Sequence, residues 1–159
     1  MRSLVALVQP DSSIELIGQR FYEPRPAFTQ RMREFLGRRV YDVGAGCGHV
    51  AKLLQDAGHV VEAIDLYPRE GSVMNVTLAN GACFPYEPDS VVLLARPCHG
   101  PFAGAVADHA MMNRGCSAVV YVGKKASMLS DCYPLEHSFK KEGGIVGAAG
   151  ETMFVWRRG

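Results

Sequence analysis

In the stretch Val40-Tyr41-Asp42-Val43-Gly44-Ala45-Gly46-Cys47-Gly48 an apolar, β-branched run stops abruptly at three glycines spaced two apart. Arg39–Val43 suits a strand, because valine and tyrosine fit a pleated, half-buried surface. The glycines give a turn without Cβ atoms, so a ligand can lie against the backbone. Downstream, His49–Ala57 has apolar residues at 50, 51, 53, 54 and 57, the spacing of a helix face, and Gly58 stops it. Val60–Ile64 reads as a second strand, finishing at Asp65. Strand, turn, helix, strand make a βαβ unit of about thirty residues. Such units are right-handed and imply a parallel sheet covered by helices on both faces.

The turn has a chemical meaning. A helix that opens on it offers unpaired N–H groups and a positive dipole end to a carboxylate or phosphate. Asp65 stands 17 residues after Gly48, where a carboxylate can accept two hydrogen bonds from a ribose diol. Dinucleotide-binding turns read G-x-G-x-x-G. Here the pattern is G-x-G-x-G, with His49 where the third glycine would stand. Asp42 is expected to set a negative charge at the ligand's edge, which repels a phosphate and favours an ammonium or sulfonium. Both features argue against a nicotinamide-using reductase. No G-K-[ST] follows, which excludes a Walker loop.

Outward from this unit, Asp11–Phe21 has the apolar spacing of a short helix, and Pro24 and Pro26 then hold the chain extended. Ala27–Leu36 is predicted as a helix on Phe28, Met32, Phe35 and Leu36. Val73–Leu78 is predicted as a third strand. Val91–Ala95 is the fourth, its unbroken apolar run fitting burial on both faces. Phe102–Asn113 reads as a helix and Ser117–Val122 as the fifth strand. Lys124–Lys141 is irregular, with a short helix at Ser127–Asp131. Ile145–Ala148 and Thr152–Arg157 are predicted to pair as an antiparallel hairpin across Ala149-Gly150-Glu151. The expected fold is α/β: a doubly wound, mostly parallel sheet in three α/β/α layers with a C-terminal antiparallel hairpin. Only Leu66–Ser72 separates Asp65 from the third strand, whereas a crossover helix needs about a dozen residues or more. That helix is expected to be missing, leaving a bare flank suited to a homodimer or a partner chain.

The 159 residues suffice for one domain, 1–159, with an N-terminal helical segment (1–37) and a core (38–159). Lys and Arg total 17 against 16 Asp and Glu. That balance argues against a protein that coats nucleic acid or an anionic membrane. The five cysteines, at 47, 83, 98, 116 and 132, include no C-x-x-C. Neither a metal site nor a disulfide framework is expected, and a reducing, cytoplasmic setting is. Leu4–Val8 is too short for a membrane span or a signal-peptide core.

Asp42–Gly48 resembles, without a gap, the first motif of the class I S-adenosylmethionine-dependent methyltransferases. Asp65 matches the acid that holds the ribose hydroxyls in that family. Asn80–Tyr86 followed by Asp89–Leu94 looks like the third and fourth motifs, and the closing hairpin fits the last two strands. The resemblance spans roughly residues 12–158. It implies a Rossmann-like core, S-adenosylmethionine as cofactor and S-adenosylhomocysteine as product. The donor-binding residues it implies are Asp42, Gly44, Ala45, Gly46, Cys47, Gly48, Asp65, Leu66, Asn80, Gly81 and Ala82. Leu66 matches an apolar residue against the adenine. Asn80 stands where the family often has aspartate, and its oxygen can still accept from the adenine amine. The implied function is methyl transfer to an acceptor. The alternative is a non-catalytic module that binds the same ligands, or a subunit whose partner completes the site. Nucleic acid is not indicated as a partner.

A sulfonium is already an activated methyl donor, so the protein must align a nucleophile with it and exclude water. A general base is needed only for a nucleophile that arrives protonated. The carboxyl end of the fourth strand is the place to look. It reads Ala95-Arg96-Pro97-Cys98-His99-Gly100-Pro101-Phe102. Amino-methylating members carry Asp or Asn, Pro, Pro, then Tyr or Phe there, so DNA-base methylation of that type is put in doubt. His99 is the candidate base. Arg96 is the candidate anchor for an acidic substrate or for the donor's carboxylate. The plainer alternative is a proline-shaped loop in which His99 caps the next helix. Cys98 is the weaker candidate nucleophile, since free cysteine is usually a small hydrophobe. Phe21, Tyr22 and Phe28 either lid the donor pocket or belong to the core. Arg31, Arg33, Arg38 and Arg39 read as a solvated face.

Overall fold

The computed structural model of the protein describes residues 22–97, 101–124 and 138–158. The helices predicted at Asp11–Phe21 and Ser127–Asp131 lie outside them. Helix α1 (Pro26–Met32) opens with proline at its first position, where no N–H is needed, and tightens into a 3-10 turn at Arg33–Phe35. Then come β1 (Arg39–Val43), α2 (His49–Asp56), β2 (Val60–Asp65), β3 (Val76–Leu78) and β4 (Val91–Ala95). They are followed by α3 (Phe102–Asp108), which runs into a π-helical turn at His109–Asn113, and by β5 (Ala118–Gly123), β6 (Lys140–Ile145) and β7 (Thr152–Arg157).

These strands form one sheet in the order β3-β2-β1-β4-β5-β7-β6. β1 to β5 are parallel, and β7 runs antiparallel between β5 and β6. The strand order reverses between β1 and β4, which makes that gap the topological switch point. Alternation along each strand sends neighbouring side chains to opposite faces. Tyr41, Val43, Val92 and Leu94 pack with Val106 and Ala107 of α3. Val40, Val91 and Leu93 pack on the other face with Phe28, Met32 and Leu54 from α1 and α2. Both faces are apolar because both are covered, as a doubly wound sheet requires. Tyr22 and Phe28 belong to this core, edge to face at 5.2 Å. Phe21 lies outside the described residues.

The predicted gap after β2 is present: residues 66–75 hold no helix, and β3 keeps only Val76–Leu78. The strap between them lies across the start of α2. The Val73 N–H donates to the Cys47 carbonyl at 2.9 Å, and Met74 packs against Gly48. Val60, Leu66, Tyr67, Val73 and Leu78 are exposed in and around this region.

Two elements differ from the sequence expectation. The sixth strand is Lys140–Ile145, not Ile145–Ala148. Its pairing with β7 shifts between Glu142 and Ile145, and Gly143 there has φ +74°. A Gly-Gly pair reads as a turn by composition, but here it is a bulge inside a strand. Residues 146–151 make the turn instead, closed by the Val146 N–H on the Glu151 carbonyl at 2.8 Å. The arginine face of α1 and β1 is also less free than expected. Arg31 pairs with Glu142 and Arg39 with Glu87, each at 3.4 Å. Such exposed pairs contribute at most about 1 kcal/mol each.

Candidate functional site

β1 ends at Val43, and the chain passes through Gly44, Gly46 and Gly48 at φ of +79°, +61° and +87°. These left-handed values strain any residue that carries a Cβ, so the geometry requires glycine at each place. The N–H groups of Gly44 and Ala45 donate to the Ile64 carbonyl at 2.9 and 3.1 Å, pinning the turn to the end of β2. A Cβ added at Gly44 would meet nothing within 4 Å, so the space beside the turn is open there. Gly48 caps α2 with backbone alone.

Asp65 points into this turn. Its Oδ2 accepts the Gly46 N–H at 2.8 Å and its Oδ1 accepts the Tyr67 N–H at 2.7 Å. Each oxygen keeps about one further lone pair, which matches the two hydroxyls of a vicinal diol. Asp65 is the register partner of Leu78, and its carbonyl accepts the Ala79 N–H at 3.1 Å. Asn80–Ala82 therefore follows at the neighbouring carboxyl end. Asn80 Oδ1 accepts the Ala82 N–H at 2.9 Å, which closes a tight side-chain turn. Gly81 is buried against Val43 and Tyr86, and the Tyr86 hydroxyl donates to its carbonyl at 2.7 Å. Tyr41, Phe84 and Tyr86 cluster with ring centroids 5.0 to 5.5 Å apart and fix the segment that follows. Gly44–Gly48, Asp65, Leu66 and Asn80–Ala82 thus meet at the carboxyl ends of three adjacent strands. Cys47 is half-buried and Leu66 is exposed.

Asp42 sits differently from the sequence expectation. Its side chain is 2 % exposed, Oδ2 has no hydrogen-bond partner, and the nearby Ala51 N–H of α2 pulls its pKa down slightly. Burial first, and then the Asp65 carboxylate, push its pKa up to about 7. Asp42 is therefore packed against the first turn of α2 and partly protonated near neutrality, rather than a full negative charge at a ligand's edge.

Arg96 is the first residue past β4. Its backbone has φ +49°, and its N–H donates to the Val122 carbonyl at 2.8 Å. Its Nη1 donates to Glu151 Oε2 at 3.2 Å, and Glu151 Oε1 accepts the Ala149 N–H at 3.0 Å. Glu151 was not among the sequence candidates. A glutamate beside Ala149-Gly150 reads as an exposed turn residue, yet it is fully buried. Cys98 and His99 lie outside the described residues. Among the described residues, no three His, Cys, Asp or Glu side chains gather in a metal-binding cluster. Two shallow hollows lie elsewhere, one beside Arg38, Arg39, Glu87 and Asp89 and one beside Thr29, Arg33, Leu36 and Ala57. Neither contains a residue of the glycine turn.

No family model matches the sequence, and no curated protein does. Solved structures match it at low identity. The magnesium protoporphyrin IX methyltransferase of Synechocystis PCC 6803, solved with bound S-adenosylmethionine, is 14% identical with a TM-score of 0.58, over 100% of this chain and 87% of its own. The 1,6-didemethyltoxoflavin-N1-methyltransferase of Burkholderia thailandensis, solved with S-adenosylhomocysteine and 1,6-didemethyltoxoflavin, is 15% identical with a TM-score of 0.56, over 84% and 77%. The 23S rRNA methyltransferase ErmE is 17% identical with a TM-score of 0.59, over 86% and 70%. The chain has the class I methyltransferase fold. These methyltransferases are named for three different acceptors, so the shared fold does not select one.

Proposed function

We propose that the protein is an S-adenosylmethionine-dependent methyltransferase whose acceptor is either small or presented by a partner chain. The observation that carries this reading is Asp65, aimed into an open glycine turn with both oxygens still able to accept. The residues fit the cofactor. Asp65 would hold the ribose hydroxyls, and Leu66 with Asn80, Gly81 and Ala82 would flank the adenine. The Gly44–Gly48 backbone, including Ala45 and Cys47, would take the amino-acid end. Asp42 is buried and so is not among the groups that would touch the donor. When bound, S-adenosylmethionine supplies the activated methyl group. The protein's work is then to hold the acceptor in line and to keep water out. His99 is the proposed base for an acceptor that arrives protonated, and Arg96 the proposed anchor. No helix of the described residues is long and apolar enough to cross a membrane. A cytoplasmic setting fits the scattered cysteines, and the bare flank at β3 fits a homodimer or partner chain.

Calorimetric titration with S-adenosylmethionine, S-adenosylhomocysteine and NAD tests the reading. Micromolar binding of the first two and none of the third supports it, and preference for NAD refutes it. A binding module without turnover is the second reading, favoured by the missing crossover after β2. Transfer of labelled methyl groups into a pool of candidate acceptors separates the two. His99→Ala with full turnover would remove His99 as the base.

A further inference from the structure

We propose that Arg96 and Glu151 form a carboxylate-binding site at the carboxyl end of β4, so that one reactant is held there by a carboxylate. The inference rests on the methyltransferase reading for the identity of that reactant. Arg96 is the first residue past β4, one strand from the glycine turn across the switch point. Its left-handed backbone is a sparsely populated state for arginine, and such states persist where the surroundings over-determine them. Here the Val122 carbonyl fixes its N–H and Glu151 fixes its Nη1. Glu151 is buried and faces inward, with one oxygen on Arg96 and the other on the Ala149 N–H. The Tyr22 hydroxyl, on the Val146 carbonyl at 2.6 Å, locks the turn that carries Glu151.

For stability alone an apolar pair would serve as well as this buried ion pair. What the pair adds is a positioned cation. A guanidinium has five N–H donors in a planar fork, and among the described residues Glu151 takes one of them. The Arg96 side chain is 26 % exposed above a Glu151 side chain that is 0 % exposed, so the positive partner is the one that faces outward. The remaining edge of the fork suits a carboxylate bonded through two parallel N–H groups. That carboxylate belongs either to the methionine end of the donor or to the acceptor.

Two affinity ratios distinguish these sources in the full-length protein. S-adenosylhomocysteine against 5′-methylthioadenosine isolates the donor's amino-acid end. Benzoate against benzamide, titrated into protein saturated with S-adenosylhomocysteine, isolates an acceptor carboxylate. Arg96→Gln is expected to lower one ratio tenfold or more: the first if the donor supplies the carboxylate, the second if the acceptor does. Glu151→Gln leaves the guanidinium in place but loosens its position, and is expected to lower the same ratio by a smaller factor. Arg96→Lys keeps the charge against Glu151 but loses the fork, and should lower that ratio at least threefold with an unchanged melting curve. It stands in if Arg96→Gln does not fold. Both ratios unchanged in the Arg96 variants would overturn the proposal. A protein that binds neither adenosine ligand refutes the methyltransferase reading instead, and benzoate against benzamide on the free chain then decides the site by itself.

Discussion

Replacing Asp42 with asparagine should change how stability depends on pH. The ordinary carboxyl value is 3.8, and in the folded protein burial and Asp65 push it up to about 7. Between those values the folded chain keeps a proton that the unfolded chain has released. Stability therefore falls as pH rises from about 4 to about 7, and levels off above that. A difference of about three pKa units corresponds to roughly 4 kcal/mol across the window. Asparagine removes this slope because it cannot ionise. Its amide would sit where Oδ2 has no partner. Leaving that donor unpaired costs about 1–3 kcal/mol, and does so at every pH. The constant cost cancels when the two proteins are compared at pH 5 and again at pH 8. Urea unfolding of wild type and Asp42→Asn at both values gives the comparison. The variant should gain about 3 kcal/mol relative to wild type on going from pH 5 to pH 8. An offset that is the same at both pH values, within about 0.5 kcal/mol, would refute the buried, proton-holding carboxyl.

Three further outcomes follow from the same geometry. Asp65→Asn should weaken S-adenosylhomocysteine roughly 10- to 150-fold, since a hydrogen bond to a charged group contributes about 1.5–3 kcal/mol; an analogue lacking both ribose hydroxyls should lose almost nothing, and equal losses would mean Asp65 acts only by holding Gly46. Gly81→Ala should lower the melting temperature by about 5 °C, because its Cβ would crowd Val43 and the Tyr86 hydroxyl in a buried site; an unchanged melting curve would show that the segment is looser than described. His59 is buried with both ring nitrogens unpartnered, and burial lowers its pKa from the ordinary 6.5. The unfolded chain binds that proton more readily, so His59 makes stability fall as pH drops through 6.5, against the trend of Asp42; His59→Phe should remove this part of the acid sensitivity in unfolding titrations.

The βαβ unit was legible because each of its parts has a local physical demand. Gly44, Gly46 and Gly48 need left-handed backbone, β1 and β4 need apolar residues on both faces, and a gap of Leu66–Ser72 cannot hold a helix. What was not legible depends on partners far away in the chain. Asp42 has the same neighbours in sequence whether its carboxyl faces a ligand or the first turn of α2. Arg96 reads as a candidate anchor, but Glu151, 55 positions away, resembles an ordinary surface charge. Gly143-Gly144 announces a turn, and only the pairing of β6 with β7 makes it a bulge.

The two buried carboxylates, Asp42 and Glu151, differ in a way that bears on function. Both lie at the carboxyl ends of the parallel strands, one on each side of the switch point. Glu151 has a cation above it, and among the described residues Asp42 has none. By Coulomb's law a positive charge brought to the glycine turn is drawn by Asp42 and Asp65 and lowers the cost of ionising Asp42. At β4 the outward guanidinium of Arg96 leaves N–H donors, not acceptors, for an incoming group. The end of the sheet therefore holds acids over β1 and β2, and a guanidinium already paired with Glu151 over β4. A sulfonium near Asp65 and a carboxylate on the free edge of the guanidinium suit this arrangement.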